Sequence, residues 1–139
     1  MRAYILGGLI LCGIAAGTAS MAAHHSFTAE FDGNKKVTLT GIVTKVEWTN
    51  PHVWFYINVK DEKTGEVSNW GAEMGPPHGL QRRGWRRESL KIGDQVTVAG
   101  SLAKNGSNRM NARQVTMTST GGRPGETLDA VSSQGGANP

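Results

Sequence analysis

Only one cysteine occurs in the 139 residues, Cys12, and it lies inside an apolar run near the start. No intrachain disulfide can form, so the fold has to be held by its core. Long hydrophobic runs are equally scarce. The one from Tyr4 to Ala16 is too short for a comfortable membrane span. Aromatic residues make up only 6% of the chain, so the placing of each tryptophan carries information. Acidic residues are few and scattered. Asp32 lacks the repeated acidic spacing of a calcium loop, and no carboxylates pair at a useful spacing for acid–base chemistry. The sequence has no nucleophile elbow, phosphate loop or HExxH zinc motif, and no internal repeat. Nothing therefore points to an enzyme, and a binding protein is the expectation.

What is present begins with a leader. Met1 to Ala23 combines a basic residue (Arg2), an apolar core and a run of small residues, which is the pattern of a secretory signal peptide. The expected location is periplasmic or secreted, with no transmembrane span after cleavage. Leu11 before Cys12 is not the small residue that a lipoprotein cleavage site wants. The whole chain is mildly basic, with a formal charge of +4, which permits anionic partners without demanding them. A nucleic-acid partner is disfavoured for an exported chain, and an unknown protein or small ligand is expected instead.

The predicted cleavage leaves histidines at the new terminus. A cut after Ala22 gives a start at Ala23-His24-His25, and a cut after Ala23 gives a start at His24. The first can bind Cu(II) or Ni(II) in a plane through the amine, two amide nitrogens and the His25 imidazole. The second can chelate through its amine and the His24 imidazole, with a further histidine completing a brace. Nitrogen donors in such square arrangements favour these two ions. Copper is therefore the candidate cofactor, with His24, His25 and His52 as metal ligands and His78 as a weaker candidate. The competing reading is that histidines beside a flexible terminus do nothing.

Residues 24–36 form an arm in which Phe27 and Phe31 are expected to tuck onto the body. The longest strand-like stretch follows, Val37 to Val59. Its residues suit a pleated, half-buried surface. Val37 and Leu39 lie on one face and Ile42, Val46 and Trp48 on the other, with the phase slipping at Gly41, where a bend is expected. Thr49-Asn50-Pro51 is a turn. Beyond it Val53, Phe55, Ile57 and Val59 form a core face, and His52, Trp54, Tyr56 and Asn58 the opposite one. Trp54 and Tyr56, with Trp70 from a third strand over Glu66 to Met74, are the candidate ligand- or partner-binding aromatics. The alternative is that they pack under a helix or tail. A bulge or twist near Gly71 is expected, and Glu73 is read as a solvated strand residue.

Gly75-Pro76-Pro77 ends the third strand. His78 to Arg87 is the only helical segment expected, limited to one or two turns by Gly84. Its Arg82, Arg83, Arg86 and Arg87 form a basic patch, open either to an anionic partner or to a solvated role. A strand over Gln95 to Leu102, a tight turn at Asn105-Gly106 and a strand over Arg109 to Met117 complete the domain, with a phase slip between Ala112 and Val115. Residues 118–139 are rich in Gly, Ser, Thr and Pro and are expected to be a disordered tail.

Five strands with one short helical insert between the third and fourth predict a mainly β, five-stranded OB-like Greek-key barrel over residues 37–117. The sequence also resembles a family of small secreted bacterial proteins of uncharacterised function, with an AHHSF mature start and a WTNPH motif. The matching stretches are Ala23 to Phe27, Leu39 to Trp54, Arg82 to Asp94 and Asn111 to Thr116. That resemblance implies a secreted OB-like barrel and no assigned activity.

Overall fold

A computed structural model describes residues 27–118 and 125–131. The leader and the histidines at positions 24 and 25 lie outside them. After one helical turn over residues 27–30 come β1 (Phe31–Glu47), β2 (Trp54–Lys60), β3 (Val67–Glu73), the helix α1 (Pro77–Arg82), β4 (Gln95–Ala103), β5 (Arg109–Met117) and β6 (Thr127–Asp129). The strands run β3-β2-β1-β4-β5, and a parallel pairing of β3 with β5 at Gly71–Arg109, Ala72–Met110 and Glu73–Asn111 closes the ring. A five-stranded barrel with its one helix between β3 and β4 is the OB-like architecture expected.

The barrel is filled by alternate residues of every strand, as the period of two requires. Val43, Val53, Phe55, Ile57, Val96, Val98, Met110 and Val115 are essentially inaccessible, and Leu80 and Trp85 are buried in the same core. The long β1 serves two neighbours. It pairs with β4 at Phe31 and from Lys36 to Ile42, and with β2 from Ile42 to Glu47. Gly41 stands where the strand passes from one to the other. A β-carbon there would lie 2.5 Å from the Asn58 carbonyl oxygen, so two backbones meet at a distance only glycine allows.

Several expectations need correction. Alternation runs unbroken through Gly41 to Val43, and the irregularity comes between Val43 and Lys45. Ile42 therefore points outward and is 43% exposed. The β2–β3 ladder is regular, so no bulge exists at Gly71. The expected slip in β5 is real: Ala99 pairs with Gln114 and Gly100 with Ala112, leaving Arg113 as the extra residue. The arm and tail boundaries also move. β1 begins at Phe31, inside the expected arm, and residues 127–129, placed in a disordered tail by composition, pair with β5.

Candidate functional site

The strand pairings decide which side chains meet. In β1–β2–β3, Glu47, Trp54 and Glu73 are register partners in one row, and Lys45, Tyr56 and Gly71 in the next. Cross-strand partners share a face, so all six stand on the outer surface of the barrel. Trp70 pairs with Ile57, which is buried. It lies on the opposite face, packed against the core, with its indole N–H on Ser68 Oγ at 3.0 Å. Trp70 thus does not join Trp54 and Tyr56.

The arm covers one end of this face. Phe27 and Phe31 are buried in a small cluster with Ala103 and Trp54, as expected of the two phenylalanines. The arm is fastened to the β4–β5 hairpin. The Lys104 N–H donates to the Glu30 carbonyl at 2.9 Å, the Lys104 ammonium donates to the Thr28 carbonyl, and Arg109 stands 3.9 Å from the Glu30 carboxylate.

Next to Trp54, on which the arm packs, lies a corner the sequence did not disclose. Glu73 is buried, not solvated. His52 Nδ1 lies 3.5 Å from its Oε1, and Asn111 Nδ2 donates to the same oxygen at 3.1 Å. Burial pushes the Glu73 carboxyl above the ordinary carboxylate range. The charge of Glu30 adds to that rise, and His52, the Asn111 hydrogen bond and Arg109 oppose it. Glu30, Arg109 and Asn111 are equally new to the site. The six-residue hairpin loop held the one available signal. With Lys60 opposite Val67, the regular ladder necessarily places Glu73 opposite Trp54.

Next to the corner is an open groove of about 460 Å³, floored by Gly71 and walled by Trp54, Tyr56, Arg109, Asn69, Asn108 and Glu47. A β-carbon on Gly71 would come within 3.2 Å of the Tyr56 ring, so the floor is kept low for that ring. The Arg109 guanidinium stacks 4.6 Å from the Trp54 ring, and the Lys45 ammonium stands 5.3 Å over Tyr56. Ring faces, amides and both signs of charge thus line one trough.

The remaining predicted residues lie elsewhere. His78 is exposed on α1. Arg82, Arg83, Arg86 and Arg87 are all exposed around Trp85, which is buried. His24 and His25 lie outside the described residues. Among the described residues, no three of His, Cys, Asp or Glu stand together as a metal site.

Fold and corner together define a small OB-like barrel protein with a histidine–carboxylate pair and an aromatic trough on its outer face. The chain belongs to the family of unknown function DUF6152, which it matches over residues 12–112. No curated protein matches the sequence. Among solved structures, it is similar to the mitochondrial single-stranded DNA-binding protein Rim1 from S. cerevisiae. The TM-score is 0.49 at 11% identity, covering 63% of this chain and 96% of that one.

Proposed function

We propose that the mature chain is an exported, periplasmic binding module that holds Cu(II) where its processed terminus meets His52. One observation carries this reading: the arm that follows His24 and His25 is seated on Trp54, directly beside the His52–Glu73 pair. Only Ser26 separates His25 from Phe27, so their Cα atoms lie at most about 7 Å apart. A carboxylate on one ring nitrogen is the support that metal-bound histidines commonly have. It leaves Nε2 of His52 as the donor. With a start at His24, the amine, the His24 imidazole and His52 supply three nitrogens, the set copper prefers. With a start at Ala23, the planar set ending in His25 forms without His52.

The test is a Cu(II) titration of untagged mature protein, with paramagnetic resonance on the complex and an intact mass to fix the terminus. The brace predicts one nitrogen-rich site. It should be lost in H24A/H25A and H52A, and weakened about 10- to 100-fold in E73Q. A residue added ahead of the terminus should abolish it. Binding no tighter than that of a histidine-bearing control peptide overturns the reading.

A second reading is supported by the groove: a metal-free barrel binding a ligand or protein through Trp54 and Tyr56. Because Trp54 packs the arm and Arg109 pairs with its Glu30, Y56A is the cleaner variant. Under this reading it weakens partner capture without loss of folding, and copper makes no difference.

A further inference from the structure

The basic patch belongs to neither the corner nor the groove. Residues 82–92, RRGWRRESLKI, contain five basic side chains and one acidic. Their net +4 equals that of the whole chain, whose 15 basic and 11 acidic residues otherwise divide into ten of each. The charge of this protein is thus an asymmetry concentrated in one loop.

That loop is held in place. Trp85 is fully buried at its centre, and its indole N–H donates to the Asp129 carbonyl at 2.8 Å. Leu80 and Leu90 are buried on either side. Arg86 and Ser89 exchange hydrogen bonds, Arg86 N–H to Ser89 Oγ at 2.8 Å and Ser89 N–H to the Arg86 carbonyl at 3.0 Å. The arginines before and after the tryptophan are therefore presented on a fixed base. Among the described residues only Arg83 of the four arginines approaches a carboxylate, Asp129 at 4.0 Å, with both side chains about half exposed. Such a pair is weak. Arg86 reaches only the Trp85 carbonyl, at 3.2 Å. Arg82 and Arg87 have no partner among the described residues. Guanidinium groups grip phosphate oxygens in pairs.

The same loop carries the most exposed large apolar residue among those described, Ile92 at 74%. The one aromatic ring of the cluster is buried, so no ring is offered for stacking on bases, the usual platform for single-stranded nucleic acid. Fixed arginines with an exposed aliphatic side chain fit a lipid surface, where phosphates meet the guanidinium groups and the apolar tip enters the headgroup layer.

We propose that the Arg82–Ile92 loop docks the protein on the surface of an anionic phospholipid bilayer. No helix among the described residues is long and apolar enough to cross a membrane. It is independent of the copper reading.

The experiment is co-sedimentation of the untagged mature protein with phosphatidylcholine vesicles and with vesicles enriched in phosphatidylglycerol, at low and high salt. Binding should appear on the anionic vesicles and fall as salt rises. R82Q/R87Q removes two unpartnered charges and should weaken it about thirtyfold. I92S should weaken it several-fold at high and low salt alike. A circular-dichroism melt confirms that each variant is folded. Equal partition onto both vesicle types, binding to neither, or unchanged binding by R82Q/R87Q overturns the proposal. Tighter binding of a single-stranded oligonucleotide than of anionic vesicles also overturns it and assigns the loop to nucleic acid.

Discussion

Tyr56 donates its phenol proton to Glu47 Oε2 at 3.1 Å, on a face where water also reaches. Burial raises its pKa above the ordinary value of 10.0, and the hydrogen bond and charge of Glu47 add to the rise. Lys45 and Arg109 act the other way. Folding therefore favours the protonated phenol. The stabilisation is complete below the unfolded pKa and is lost as pH rises through the higher folded value. The chain has two tyrosines, Tyr4 and Tyr56, so residues 24–139 contain Tyr56 alone. An ultraviolet titration of residues 24–139 should give one phenolate transition above the free-tyrosine range. E47Q should move it down, because the carboxylate charge goes while Lys45 stays. A transition at the free-tyrosine position in both proteins would show that the pair does not form in solution.

At the scale of elements, β2 was legible because its turn and its alternation agree. Val53, Phe55 and Ile57 are buried as the pattern demands. β1 was legible only in part. A glycine inside an alternating run looks like a break, but here it is a crossing point, and the slip falls at Thr44, where nothing in the composition marks it. The corner was hidden for a related reason. Glu73 looks solvated in a strand read alone but is buried against His52 and Asn111, the second a contact between distant parts of the chain. Trp70 shows the converse, since only its pairing with Ile57 reveals which way it faces. The Gly41 crossing yields a prediction. A methyl group there would press on the Asn58 carbonyl, backbone against backbone, and one strand must move. G41A should cost about 1–3 kcal/mol, read as a lower midpoint in urea. A midpoint matching wild type would mean that β1 has room to shift.

For the whole molecule, barrel closure is uneven. β3 and β5 pair over three residues only, Gly71 to Glu73 against Arg109 to Asn111. Beyond Asn111 the edge of β5 would stand open, an invitation to pair with another chain. The chain returns to cover it. β6 pairs with β5 at Gln114, Val115 and Thr116, and Ala130 behind it is fully buried. This return also satisfies two donors in the interior: the Trp85 indole N–H bonds to the Asp129 carbonyl, and the Gly75 N–H to the Ala130 carbonyl at 2.8 Å. A chain stopped after Thr118 loses the cover and both acceptors together. Each orphaned donor costs about 1–3 kcal/mol, so the truncated protein should melt well below the full-length one. It should also form concentration-dependent oligomers through the exposed β5 edge, visible by light scattering on a sizing column. If the truncated chain stays monomeric and as stable as full length, β6 is an ornament on a barrel that closes without it.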